Sequence, residues 1–116
     1  MEPVPREVRR HTEGPAIVVE AEGDLVVTSE TALAEAVEEA LEEGNGVVVD
    51  ASGLTHVDTA GLALFVHLRA RCAEKGGDLV VAGLPDTFSD IADHLRLERG
   101  VPLAEDVGSA IDRLGR

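Results

Sequence analysis

The residues with the clearest chemical potential are Asp58 and Thr59, which stand just before a helical pattern that begins near Leu62. The first backbone N–H groups of a helix lack internal partners, and the helix dipole makes that end positive. A threonine hydroxyl there is a good N-cap, and a phosphate added to it would be well accommodated. Two interpretations of Thr59 follow, a helix cap alone or a modification site.

The rest of the sequence contains few residues or motifs that are typical of an enzyme. There is no nucleophile elbow, no phosphate-binding glycine loop and no histidine or cysteine pair at metal-ligand spacing. Neighbours such as Asp58 and Thr59 rarely meet as base and nucleophile. The remaining candidates are scattered histidines, interpreted as surface or core residues: His56, His67 and His94. The sequence therefore predicts a protein that is not an enzyme and that needs no cofactor or metal.

Composition favours a protein partner. Ten basic against 23 acidic residues give a net charge of −13, which repels nucleic acid and anionic membranes and favours a partner with basic patches. The only aromatic residues are Phe65 and Phe88, so bases have almost nothing to stack on. The lone cysteine, Cys72, excludes an internal disulfide and is interpreted as a packing residue.

Length and hydropathy set the organisation and the location. We expect one domain over residues 1–116, with a flexible segment at 1–6. No apolar run approaches the roughly 18–20 residues that cross a bilayer, and the start of the chain lacks the apolar core of a signal peptide. These features predict a cytoplasmic protein.

The first half of the chain reads as a hairpin followed by a helix. An edge strand is expected near 7–11 and a second strand at 16–22, because β-branched residues there precede a glycine turn. Hydroxyls at Thr28 and Ser29 offer caps for a helix with Leu33 and Val37 on its apolar face. Glycines around 44–46 end that helix.

The second half reads as a strand–helix–strand unit with further elements. Apolar runs at 47–49 and 79–82 suit buried parallel strands, joined by a helix over 59–75. Thr87 or Ser89 should cap a shorter helix, and Asp106 a last one. The apolar face of the shorter helix is expected to hold Phe88, Ile91, Ala92 and Leu95. A weak edge strand is expected at 101–103.

The resulting order, ββαβαβαβα, predicts an α/β fold. It consists of a mixed, mostly parallel sheet of four to five strands with about four helices. The central helix carries more apolar residues than one stripe requires, since residues 62–68 are apolar nearly all round. This surplus either packs against a neighbouring helix or forms a docking surface that begins at Thr59.

The element order, together with Asp58, Thr59, Gly61 and Leu62 at the start of the central helix, resembles the STAS domain, the fold of bacterial anti-sigma factor antagonists. The resemblance covers about residues 7–114. It implies that an anti-sigma factor with serine kinase activity phosphorylates Thr59, and that Asp58 shapes the site. The unmodified protein would hold the kinase and free the sigma factor, and the phosphate would break that complex.

The resemblance also implies a set of partner-binding residues around the phosphorylation site. The set is Asp24, Val26, Thr28, Asp58, Thr59, Ala60, Gly61, Leu62, Leu64 and Phe65. Two positions depart from the common family pattern. Thr59 stands where many antagonists have serine, and Val26 stands where a Gly-Glu-Leu-Asp loop usually places its Asp. The protein is expected to be a monomer or a weak dimer.

A second branch of the family is similar through the segment 57–68. This branch is the small STAS subunit of phospholipid-transport ABC systems, in which the same region docks on the ATPase subunit without obligatory phosphorylation. A third alternative, from a different functional class, is a STAS domain that senses a nucleotide or another small ligand.

Overall fold

The computed structural model describes residues 8–14, 16–25, 30–43 and 46–114. Predictions for residues 1–6, for caps at Thr28 and Ser29, and for the turn at 44–45 lie outside these ranges. The described elements are β1 (Val8–Glu13), β2 (Ala16–Leu25), α1 (Glu30–Glu43), β3 (Gly46–Val57), α2 (Thr59–Glu74), β4 (Asp78–Ala82), α3 (Ser89–Leu95), β5 (Leu103–Ala104) and α4 (Val107–Leu114). Single 3₁₀ turns occupy Asp86–Phe88 and Leu97–Arg99.

Within the described ranges the five strands form one mixed sheet in the order β1-β2-β3-β4-β5. β1 is antiparallel to β2, and every other neighbouring pair is parallel. The hairpin and the parallel strand–helix–strand unit are therefore confirmed, as is the α/β fold class.

Side-chain alternation along the strands builds a core on each face of this sheet. Val47 and Val49 belong to one cluster with residues of α1 and α2, whereas Val48 belongs to a second cluster with Ala110 of α4. Such continuous valine runs are typical of strands that are covered on both faces. α1, α2 and α3 thus cover one face, and α4 covers part of the other.

β3 is much longer than the apolar run that predicts it. It pairs with β4 only over its first five residues, from Gly46 to Asp50, but it stays paired with β2 as far as Val57. Among the described residues, β1 pairs with β2 as far as Ala21, so in that part of the structure the ends of β2 and β3 continue as a two-stranded ribbon. Asp58 follows Val57 directly, so the end of this ribbon determines where α2 begins.

Two details of the C-terminal half differ from the sequence prediction. Neither Thr87 nor Ser89 caps α3, because the N-cap position falls on Phe88 and the Ser89 hydroxyl instead donates to the Asp86 carbonyl at 2.8 Å. Ile91 and Leu95 are exposed rather than buried, since a helix of seven residues covers the core with one narrow face. The prediction for α4 is confirmed, because Asp106 Oδ1 accepts a hydrogen bond from Ser109 N at 2.8 Å.

Across the described part of the chain, no helix combines the length and the hydrophobicity needed to cross a bilayer.

Candidate functional site

The start of α2 is fixed by the side chain of Asp58. Its backbone is extended, with φ −104° and ψ 177°, and its Oδ1 accepts a hydrogen bond from Gly61 N at 2.7 Å. Its carbonyl accepts the first helical bond from Leu62 N at 3.1 Å. These contacts make Asp58 the N-cap. The interpretation of Thr59 as the cap is therefore wrong, because the chain is already helical at Thr59.

Thr59 is consequently the first helical residue, and it is exposed. Ala60 beside it is exposed too, whereas Asp58 is half-buried. The Thr59 hydroxyl stands at the positive end of a 16-residue helix. An enzyme can therefore reach this hydroxyl without any opening of the core.

Part of the predicted docking surface lies inside the protein. Leu62 and Phe65 are both 0% exposed, and Gly61 is buried. Leu64 is partly buried against the same core. As surface contacts for a partner, Gly61, Leu62 and Phe65 are corrected to core residues, because these positions face the sheet.

The apolar surplus of α2 is partly buried, because Leu64 and Val66 are half-buried against the core cluster, whereas Ala63 is exposed. On one side, α2 contacts α1, where Arg71 Nε donates to Glu38 Oε2 at 3.0 Å. On the other side, the backbone at Gly100 approaches Val66 so closely that a Cβ on that glycine would lie 2.7 Å from Val66 Cγ2. Packing against neighbouring elements therefore accounts for part of the surplus, and the docking surface that begins at Thr59 stays a prediction.

The face of α2 that does reach solvent next to Thr59 is made of small and polar residues. Ala60, Ala63 and His67 are exposed. Ala63 and His67 did not enter the predicted set, although they follow Thr59 at steps of four, the spacing that places residues on one helix face. A partner that binds at Thr59 would therefore meet alanines, over which a second backbone can approach closely.

The predicted loop contribution is described only in part. In the ribbon, Asp24 pairs with His56 in the parallel register, which brings the backbone of Asp24 to the same end of the sheet as Thr59. Val26 and Thr28 lie outside the described residues.

The titratable residues near α2 do not assemble a reactive centre. Burial raises the pKa of the Cys72 thiol to about 11, with smaller contributions from the nearby carboxylates of Asp78 and Glu38, so the thiol stays protonated at neutral pH. Over the ranges that the structure describes, no group of three or more histidine, cysteine or acidic side chains could hold a metal ion.

Comparison with known proteins places this geometry in context. A family model described as "Mlab, STAS domain" matches residues 8–105. Among solved structures, an anti-sigma factor antagonist from Mycobacterium paratuberculosis is similar, with a TM-score of 0.83, 15% identity, and coverage of 97% of this chain and 96% of that one.

Two further structures show the same fold. A serine-to-glutamate variant of Moorella thermoacetica RsbS gives a TM-score of 0.70 at 21% identity, covering 93% of this chain and 94% of that one. The Bacillus cell fate determinant SpoIIAA in its phosphorylated form gives 0.66 at 14% identity, covering 92% and 98%. No curated protein sequence matches the chain.

Proposed function

The chain belongs to the STAS domain family, and from this membership we propose that it is an anti-sigma factor antagonist. In this proposal it binds an anti-sigma factor with serine/threonine kinase activity while Thr59 is unmodified, and phosphorylation of Thr59 ends the complex. The observation that carries the proposal is the exposed Thr59 hydroxyl on the first residue of α2, beside the capping carboxylate of Asp58.

Electrostatics at the helix start support a switch of this kind. A phosphate adds about −1.5 to −2 charges at pH 7 and is favoured near a helix N-terminus. Asp58 is the residue before Thr59, and its carboxylate already accepts a hydrogen bond from Gly61 N. A phosphate on Thr59 would therefore lie near a second negative charge. A partner that fits closely over Ala60 and Ala63 would lose its contact to the added bulk and charge. The fold itself need not change, since Thr59 is not part of the core.

The names of similar proteins point the same way. The neighbours include an anti-sigma factor antagonist, SpoIIAA in a phosphorylated form and RsbS with a serine replaced by glutamate. Transfer of that role to this chain is the proposal, and Thr59 is the residue to which it is transferred.

The test uses tagged wild-type protein and two variants as bait in an extract of the source cells, followed by mass spectrometry. We expect wild type and Thr59→Ala to retain a small ATPase with kinase activity, and Thr59→Glu to lose it. Thr87→Glu is the matched control, since it adds the same charge at an exposed threonine on another element. The captured kinase with ATP should then add one phosphate to wild type and none to Thr59→Ala. Equal capture by Thr59→Glu and wild type would refute the proposed switch.

A second candidate function is the STAS subunit of a phospholipid-transport ABC system. The matching family model carries the name Mlab rather than that of an antagonist, and the segment 57–68, from the end of β3 into α2, is similar to that branch. The same capture experiment separates the two. An ABC-type ATPase recovered with membrane subunits, with Thr59 unmodified by ATP, would assign the chain to the transport branch.

A further inference from the structure

The outer edge of β5 presents main-chain groups that pair with no other strand of the described sheet. The carbonyls of Pro102 and Ala104 face β4, because they accept hydrogen bonds from Val81 N at 3.0 Å and Gly83 N at 2.9 Å. Successive residues of a strand direct their backbone groups to alternate sides. The N–H and C=O of Leu103 therefore point away from β4, along the edge at which the described sheet ends.

A side chain already occupies part of this edge. Arg113 Nη1 of α4 donates to the Leu103 carbonyl at 3.0 Å, which is the type of bond that an added strand would make through its own N–H. Arg113 is exposed, so an incoming backbone can replace its guanidinium, which then returns to water. The edge is thus covered by a group that a strand can displace.

Two clefts flank the edge, one on each face of the sheet. The cleft on the α3 side, of about 500 Å³, is lined by the apolar residues Leu84, Ala92 and Leu103 and by the acidic residues Asp86 and Asp93. The cleft on the α4 side, of about 530 Å³, is polar and is lined by Ser109, Asp112 and Arg113. Glu105 lines both clefts.

The two clefts fit the alternation of an extended chain. Leu103 packs against the core cluster on the α3 side and Ala104 against the cluster on the α4 side. A strand added beside β5 would alternate in the same way. Every second side chain would enter the cleft on the α3 side and contact Leu84 and Ala92. The others would enter the cleft on the α4 side and, once Arg113 is displaced, meet the carboxylates of Asp112 and Glu105.

We propose that the edge of β5 is a docking site for an extended segment of a partner protein in which apolar residues alternate with lysine or arginine. Main-chain hydrogen bonds to Leu103 would supply affinity, and the two clefts would supply specificity. The basic residues match the carboxylates of Glu105 and Asp112 at the edge and the net charge of −13. A second copy of this chain would bring the same acidic residues to the edge, so like charges oppose that occupant. The site does not depend on the identity of the partner at Thr59.

The test uses a dye-labelled heptapeptide of alternating lysine and valine, with binding followed by fluorescence anisotropy. Two N-methylated derivatives serve as main-chain probes, one methylated at the backbone nitrogen of every valine and the other at the backbone nitrogen of every lysine. Because only alternate N–H groups face β5, one derivative should lose roughly tenfold or more in affinity while the other binds like the parent peptide. Equal affinities for all three peptides would overturn the proposal, since attraction by charge alone would then account for binding. Absence of binding would overturn it as well.

Matched variants locate the site. We expect Asp112→Lys to weaken binding several-fold more than Glu39→Lys, which makes the same charge change on the exposed face of α1. Arg113→Ala should tighten binding relative to Arg99→Ala, because it frees the Leu103 carbonyl in addition to removing a positive charge. Equal effects within either pair would contradict the site. Dimerisation of the free protein through β5, seen by sedimentation velocity and abolished by Asp112→Lys, would assign the edge to self-association instead.

Discussion

Asp58 and Thr59 are adjacent, but they have separate roles at the start of α2. Asp58 supplies the hydrogen bond to Gly61 N that begins the helix, whereas Thr59 leaves its hydroxyl at the surface. A modification at Thr59 can therefore change the surface while the helix keeps its cap.

This division gives a stability prediction at the residue scale. Asp58→Ala should lower the free energy of unfolding by about 1 kcal/mol, the usual cost of a lost N-cap. Thr59→Ala should change it by less than about 0.5 kcal/mol, as for other exposed positions. Asp58→Asn is the control, because an amide oxygen also accepts from Gly61 N. Urea denaturation measures all three, and a larger loss for Thr59→Ala than for Asp58→Ala would show that the hydroxyl holds the helix.

Cys72 gives a prediction about pH. Its pKa in the folded protein is raised to about 11 by burial, against roughly 8.5 for an exposed thiol. Above that lower value the unfolded chain loses the proton first, so the contribution of Cys72 to stability falls as pH rises. We expect a shallower loss of stability between pH 8.5 and 10.5 in Cys72→Ala, and very slow labelling of native Cys72 by a thiol reagent at pH 8. Fast native labelling would contradict its burial.

The N-cap residue of α2 could not be identified from the sequence alone. Asp58 and Thr59 are both good capping residues, and composition cannot rank them. The position at which the backbone leaves the extended conformation decides, and that position is set by how far β3 stays paired with β2. The buried state of Cys72 and the cap at Asp106 depend on local pattern, and both were predicted from it.

At the scale of elements, the contact between α2 and the turn before β5 is tight. A methyl group at Gly100 would lie 2.7 Å from Val66 Cγ2 and 2.8 Å from Cγ1. Gly100→Ala should therefore cost about 1–3 kcal/mol of stability, as overpacking does. Gly108→Ala in α4 is the control, since its nearest atom lies 3.5 Å away and alanine favours a helix. Adding Val66→Ala to Gly100→Ala should restore part of the loss. A thermal unfolding series with no difference between the two glycine variants would contradict this contact.

Hydrophobic periodicity predicts a helix or a strand well where the residues of that segment favour the structure by themselves. The order of strands and helices and the parallel pairing around α2 follow from valine runs and helical spacing. The second half of β3 is not predicted by this reasoning, because Ser52 and Gly53 do not favour a strand by themselves. The strand continues there because β2 pairs with Gly53, Leu54, His56 and Val57. Likewise, the approach of the turn at Gly100 to Val66 decides how much of the apolar surplus of α2 is buried.

For the whole molecule, charge is the dominant property outside the core. A net charge of −13 on 116 residues repels itself in the compact state. Raising NaCl from ~0.01 M to ~1 M shortens the screening length from about 30 Å to about 3 Å, so the free energy of unfolding should rise with salt. A Glu35→Lys, Glu39→Lys double variant, with both changes on the exposed face of α1, should be less sensitive to salt. A stability that falls with salt would show that ion pairs such as Arg71–Glu38 outweigh the repulsion.

The two-stranded ribbon of β2 and β3 has a consequence for how such a protein diversifies. It places the start of α2 beyond the last residues that β4 pairs with, so mutations at Thr59, Ala60 and Ala63 do not touch the valine core. Substitutions at these exposed positions can therefore alter the surface that the proposed partner would meet, while the scaffold beneath them stays the same.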